Sequence, residues 1–253
     1  MIRPKTEAEV AILREGGRRL ASILDQIKAA VKPGLETETL ENLARHLIEA
    51  GGDEPAFLGY RPAGARKPYP AALCVSVNDE IVHGLPGREA LQAGDVVSLD
   101  LGLRHRGLVT DMAVTVPVGK VSPKTMAMIR AAEAGLTAGI EAALPGAKVG
   151  DVGAAVEQAV KAAGFKVVRE LSGHGVGYDV HEEPFVPNFG RAGTGPVLVP
   201  GLVIAIEPMA TAGRGEIRVL PDGFTLATTD GALATHAERT IVVTDHGPEI
   251  LTI

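Results

Sequence analysis

The sequence predicts an α+β fold of two related halves, in which antiparallel sheets are flanked by helices. Three observations predict it. Apolar residues recur at helical spacing in four segments that come in two pairs. A β-rich stretch follows each pair, so helices and strands are segregated within each half. The halves also repeat motifs in the same order. Leu91 to Asp100 (LQAGDVVSLD) resembles Leu198 to Glu207 (LVPGLVIAIE), with Gly opening a β-rich run and an acid six residues later. Asp111-Met-Ala-Val-Thr-Val parallels Glu238-Arg-Thr-Ile-Val-Val. Upstream, Lys32-Pro33-Gly34 and a helical segment ending at Gly51 match Leu144-Pro145-Gly146 and a segment ending at Gly164. The division falls at roughly 1–120 and 121–253 of a single domain. No low-complexity linker separates the halves, so they are expected to share one core and to supply two carboxylates each from equivalent positions.

The elements follow in order. Thr6 and Glu9 form a capping box ahead of Val10, Leu13, Leu20, Ile23, Leu24, Ile27 and Val31 at helical spacing. Pro33-Gly34 stops that helix. A second helix is expected over roughly Thr39 to Ala50, with Leu40, Leu43, Leu47 and Ile48 on its apolar face and Gly51-Gly52 at its end. Residues 53–72 read as irregular, and strands dominate from Ala72 to Val118. Asp100 and Asp111 are eleven apart across Gly102 and Gly107, a spacing that fits adjacent strands of a hairpin with both carboxylates on one side. Ser122 with Pro123 starts a third helix to about Ala143. Asp151 is expected to cap a fourth, with Val152, Val156 and Val160 on one face. Strand-like segments run from Lys166 to Ile253.

Composition narrows the function. At 45% apolar and 22% charged, the 253 residues describe an ordinary globular protein. A net charge of −6 with no basic cluster argues against nucleic acid as a partner. The lone Cys74 allows no internal disulfide. The charged N-terminal segment has no apolar run of a signal peptide, and no run is long enough to span a bilayer, so a cytoplasmic protein is expected.

Five residues carry the chemistry: Asp100, Asp111, His174, Glu207 and Glu238. Asp100, Asp111 and Glu207 lie in strongly apolar segments (VVSLDLGL, GLVTDMAVTV, GLVIAIEPMA). An ionised carboxylate removed from water must be paired, protonated or metal-bound, and no Lys or Arg lies in the runs around Asp100 and Glu207. Four carboxylates and a neutral imidazole would balance two divalent cations, and oxygen-rich ligation suits metals that activate water. His174 sits in Ser172-Gly-His-Gly-Val-Gly177, His181 in Asp179-Val-His-Glu-Glu-Pro184 and His83 in Asn78-Asp-Glu-Ile-Val-His-Gly-Leu-Pro86.

With these residues in view, the chain resembles the type I methionine aminopeptidases. The motifs are Cys74 to Pro86, Ser98-Leu-Asp100-Leu-Gly, Thr110-Asp111-Met-Ala, Gly173-His174-Gly-Val-Gly, Ile206-Glu207-Pro and Ala237-Glu238-Arg-Thr-Ile-Val-Val-Thr. The resemblance covers nearly the whole chain. It implies the pseudo-twofold pita-bread fold, a single catalytic domain, and a centre of two divalent ions (cobalt, manganese, iron or zinc). Asp111 and Glu238 would bridge the ions, Asp100 would hold one, and His174 and Glu207 the other. A bridging water or hydroxide would attack the scissile carbonyl, with Glu207 accepting its proton. His181 and His83 would contact the carbonyl oxygen and the scissile amide. Phe57, Tyr60, Tyr69, Cys74 and Phe224 would form the pocket for methionine, with Arg61–Pro68 a surface loop at its mouth. The substrate would be the N-terminal Met of nascent chains with a small second residue. A monomer with a transient ribosome association is expected. The alternatives are an Xaa-Pro aminopeptidase or dipeptidase of the same fold, and a non-catalytic binding protein that kept it.

Overall fold

The computed structural model describes residues 2–61 and 66–253. Four helices are present among them: α1 (Glu7–Ala30), α2 (Thr37–Ala50), α3 (Pro123–Ala142) and α4 (Val149–Ala162). The strands before α3 are β1 (Glu54–Pro55), β2 (Leu73–Val77), β3 (Glu80–Val82), β4 (Val96–His105) and β5 (Leu108–Pro117). After α4 come β6 (Lys166–Val167), β7 (Ser172–Gly175), β8 (Glu182–Pro187), β9 (Val203–Ile206) and β10 (Met209–Thr211). The last five are β11 (Ile217–Val219), β12 (Leu226–Thr228), β13 (Ala234–His236), β14 (Arg239–Thr244) and β15 (Gly247–Ile250). Every strand pair is antiparallel. The main sheet of the first half joins β1, β4 and β2, with β5 paired to β4; that of the second runs β15-β14-β9-β7-β8.

Local signals set the helix ends. Thr6 accepts the Glu9 N–H at 3.3 Å while the Glu9 carboxylate accepts the Thr6 N–H at 2.8 Å, the reciprocal bonds of a capping box. Ser122 accepts the Thr125 N–H at 3.0 Å at the head of α3. Two starts differ from expectation. α2 begins at Thr37, whose hydroxyl is bonded to the backbone of Gly87, so a long-range contact fixes the end. α4 begins at Val149, which makes Asp151 the third helical residue instead of the cap. Its carboxylate reaches back to the Lys148 N–H at 2.7 Å, so the acid still satisfies the helix end from inside it.

The internal repeat appears as matched hydrogen bonds. Gly34 and Gly146 both adopt positive φ and donate to Leu91 and Leu198. Leu91 and Leu198 donate back to Leu35 and Ala147. Gly94 donates to Val118 as Gly201 donates to Val243. Registers follow: Val97 faces Val116 on β4 and β5, and Ile204 faces Ile241 on β9 and β14. One expectation needs correction. The ladders put Asp100 and Glu207 at matching rungs, but the mate of Asp111 is His236 and the mate of Glu238 is Ala113. Thr115 and Thr240 show the same relation: the Thr115 hydroxyl bonds the N–H and carbonyl of His236, and the Thr240 hydroxyl those of Asp111. The acids of the second strands are therefore displaced by two residues, not equivalent.

The buried side chains of the described residues fall into clusters. The first half buries Leu20, Leu24, Leu40, Ile48, Leu99 and Leu101 together. The second buries Met128, Val152, Val156, Ile204, Ile206 and Ile241. A third cluster spans the junction, combining Leu13, Phe57, Tyr69, Cys74 and Val109 with Val176, Val180, Val203 and Val242. Apolar spacing says which face is buried, not which half it packs with.

Candidate functional site

β4, β5, β7 and the ends of β9 and β13 converge at the junction of the halves. Asp100 lies opposite Ala113 and Asp111 opposite Gly102, so the two carboxylates share a face of the β4–β5 hairpin, two rungs apart. His174, on β7, pairs with Ala205 of β9. Glu207 follows β9 and Glu238 precedes β14. All five side chains are buried. Asp111, His174 and Glu238 each offer a ligand atom within 4.8 Å of the others. The His174 Nε2 is 3.4 Å from Glu207 Oε1 and 4.0 Å from Asp111 Oδ2.

The backbone prepares these groups. The His174 ring faces its own chain through Nδ1, 3.0 Å from the Gly175 carbonyl, which leaves the Nε2 lone pair toward the acids. Asp111 is clamped by Thr240 on both sides of its peptide, and its Oδ1 accepts the Met112 N–H at 2.9 Å. Asn188 donates to the Glu207 carbonyl at 2.9 Å.

The electrostatics are those of an anion cluster short of cations. Burial, with repulsion from Glu207 added, raises the Asp100 carboxyl to about 6. Burial raises Asp111, Glu207 and Glu238 well above the usual carboxylate range, with mutual repulsion adding to it at Asp111 and Glu238. Burial beside His181 lowers His174 to about 3, so the imidazole is neutral and free to ligate. Asp100 Oδ1 is buried with no hydrogen-bond partner. Among the described residues no Lys or Arg forms an ion pair with any of the five. The neighbouring Arg239 donates to the Glu238 and Ala113 carbonyls instead. An unpartnered carboxylate oxygen, four raised acids and a bare imidazole nitrogen fit hard or borderline divalent cations.

The cluster opens into a cavity of about 650 Å³. Phe57, Tyr60, Tyr69, Cys74 and Phe224 all border it, as do His83 and His181. Tyr69 donates to the Gly84 carbonyl at 2.9 Å and meets Phe224 edge-on at 5.6 Å between ring centres. Gly102 makes room for Phe57: a Cβ there would lie 2.6 Å from the ring. His83 sits at φ 59°, an uncommon conformation for a non-glycine residue, and its side chain borders the cavity. His181 Nδ1 is 2.8 Å from the Tyr60 hydroxyl, and its ring stands edge-on to His174 at 4.3 Å. Both rings are open to the cleft on one side and walled by protein on the other. Burial of the rings lowers both pKa values, that of His83 to about 4. Of the expected loop Arg61–Pro68, residues 62–65 lie outside the described residues; Lys67 borders the cavity.

Sequence reasoning missed His236. It is 2% exposed, with Nε2 3.4 Å from Glu207 Oε2 and 3.9 Å from Glu238 Oε2. The His236-Ala-Glu238 spacing was the available signal. It also missed Phe185, an exposed aromatic on the cavity rim, paired across β7 and β8 with His174.

Buried acids that no protein cation offsets, at the floor of a cleft able to take a side chain, define a metal-dependent hydrolase of peptide-like substrates. The model of metallopeptidase family M24 matches residues 11–245, and the chain belongs to that family. The chain is 45% identical to a methionine aminopeptidase of Aquifex aeolicus, covering 98% of this chain and 97% of that one. It is 40% identical to methionine aminopeptidase 1 of Bacillus subtilis, covering 100% and 99%. The crystal structure of a methionine aminopeptidase from Thermotoga maritima superposes with a TM-score of 0.95 at 39% identity, covering 100% of this chain and 99% of that one. A prolidase from Pyrococcus furiosus shares the fold, with a TM-score of 0.77 at 21% identity, over 65% of its own length. The pita-bread fold that the resemblance implied is therefore present. No helix of the described residues is long and apolar enough to cross a membrane.

Proposed function

We propose that this chain is a methionyl aminopeptidase that removes the N-terminal Met of nascent polypeptides with a small second residue, acting as a single catalytic domain. Asp100, Asp111, His174, Glu207 and Glu238 hold two divalent ions in this reading. The observation that carries it is that these five residues share one cavity with the apolar wall of Phe57, Tyr69, Cys74 and Phe224. When bound, the ions supply Lewis acidity, polarising a carbonyl and lowering the pKa of water. Glu207, on the wall of the same cavity, would accept the proton of the attacking water. With the Tyr60 hydroxyl, 2.8 Å away, donating to His181 Nδ1, the ring would turn its Nε2–H to the cavity and stabilise the developing oxyanion. His83, on the adjoining wall, contacts the scissile amide. The aromatic wall with Cys74 receives the methionine side chain, whose polarisable thioether favours such contacts.

A cytoplasmic monomer with transient ribosome association is the matching cellular reading. The metal is cobalt, manganese, iron or zinc, since these ligands suit all four. The test is a metal-free preparation with each ion added back, assayed on Met-Ala-Ser and on Ala-Pro dipeptides. Hydrolysis of the first alone supports the proposal. Hydrolysis of Ala-Pro dipeptides in its place supports the Xaa-Pro reading, and metal binding without hydrolysis supports a binding protein.

A further inference from the structure

We propose that His236 is a positioning residue for Glu207: its Nε2–H donates to Glu207 Oε2 and fixes how that carboxylate is presented to a metal ion. The inference rests on the reading of Glu207 as a ligand. Its burial and its contacts carry it. His236 is almost fully buried, and among the described residues neither ring nitrogen has a hydrogen-bond partner. Buried polar groups are nearly always satisfied, so an imidazole with two bare nitrogens is facing something it is meant to bond. Among the described residues, the polar side-chain atoms placed near its Nε2 by an ion-pair contact are Glu207 Oε2 at 3.4 Å and Glu238 Oε2 at 3.9 Å. The shorter contact lies a few tenths of an ångström outside ordinary hydrogen-bond range, a gap that a small rotation of the carboxylate closes.

The backbone of His236 is also held as firmly as that of Asp111. Thr115 bonds its N–H at 2.8 Å and its carbonyl at 2.7 Å, while Thr240 does the same for Asp111 at 2.9 and 2.8 Å. His236 therefore occupies, in the second half, the address that Asp111 occupies in the first. One feature separates it from the five proposed ligands: they all border the main cavity, and His236 does not. It borders a separate cavity of about 50 Å³ with Ala113, Leu136 and Arg239, so it reaches Glu207 from behind the centre. Carboxylate ligands are oriented by such partners, and losing one typically weakens metal binding by about 10–100-fold.

The test uses the full chain with His236→Ala, His236→Gln and His236→Asn. A Gln amide nitrogen can reach the place of Nε2, whereas an Asn amide reaches only that of Nδ1. Manganese binding is measured by calorimetry on metal-free protein, and the coordination by the visible absorption of the cobalt form. The expected result is about 10–100-fold weaker binding and a shifted cobalt band for Ala and Asn, with Gln restoring both. A residue that merely fills space would not separate Gln from Asn. If the Ala variant fails to fold, the Gln and Asn pair decides alone. Wild-type affinity and an unchanged band in Ala or Asn overturn the proposal. So does pulsed electron paramagnetic resonance showing two directly bound imidazoles in the wild type and one in His236→Gln, which makes His236 a ligand. A wild-type chain that binds no divalent cation overturns the metal reading itself, and the proposal with it.

Discussion

Replacing Asp100 by Asn should stabilise the metal-free protein at high pH and weaken the stabilisation it gains from metal. Burial and the repulsion of Glu207 raise this carboxyl from 3.8 to about 6. At about 1.4 kcal/mol per pKa unit, ionising it in the folded chain costs on the order of 3 kcal/mol. The direction follows from linkage. Below about pH 4 the group is protonated in folded and unfolded chains alike and costs nothing. The cost grows as pH rises from about 4 to about 6 and is complete above that. Asn carries no charge, so its benefit should be absent near pH 4 and full near pH 8. For a chain of this length, each kcal/mol moves the melting temperature by about 2–4 °C, so the gain with chelator near pH 8 is roughly 6–12 °C. Metal acts in the opposite sense. At about a hundred times its dissociation constant, a bound ion stabilises the native state by about 2.7 kcal/mol, and a lost carboxylate ligand should remove most of that. Calorimetric melting of both proteins near pH 4 and pH 8, with chelator or with saturating manganese, reads both effects. A variant that melts lower by the same amount at both pH values, or that keeps the full manganese shift, would refute the reasoning.

Manganese affinity of the wild type should fall as pH drops through about 6, because protons compete for Asp100 and for the three other raised acids; a flat profile from calorimetry counts against the cluster as the binding site. Glu238→Ala should lose metal and activity together, and elemental analysis finding two ions in an active variant would remove Glu238 from the ligands. His181→Ala should keep its metal and lose about 10²-fold in turnover, as expected for an oxyanion donor. Should that variant lose metal instead, His181 is a ligand. Gly102→Ala should press a Cβ into Phe57, 2.6 Å away, and raise KM for Met-peptides about tenfold at unchanged metal content. An unchanged KM would place Phe57 away from the substrate.

What the sequence revealed and what it hid have a common cause. Helices and the β4–β5 hairpin were legible because capping and alternation are local. The four acids and the imidazole were legible because carboxylates in apolar runs need an explanation. The equivalence of Asp111 with Glu238 was misread because like was matched to like. Strand pairing is set by the ladder, and a shift of two residues keeps every side chain on its original face, so periodicity cannot reveal it. The ladder registers and the Thr115 and Thr240 bonds, each bond spanning more than a hundred residues, expose the true mates. The same limit hid His236, whose role depends on a neighbour brought close by folding.

The corrected register changes how the centre should be understood. Two halves with the same frame present different chemistry at the same addresses: Asp100 and Glu207 match, but Asp111 faces His236 across the repeat, and Ala113 faces Glu238. A strictly symmetric pair of acids would surround a cation equally and leave no side distinguished for the substrate. Here the first half contributes the apolar wall of Phe57, Tyr60, Tyr69 and Cys74. The second contributes His174 and His181 within the cavity and His236 behind it. The wall belongs to the cluster that joins the halves, so the same packing that docks them also shapes the pocket. Recognition and chemistry then meet at a seam between two rigid sheets, where backbone ladders hold each group in place. That is the arrangement an exopeptidase needs, because one terminal residue must be measured against a fixed point of attack.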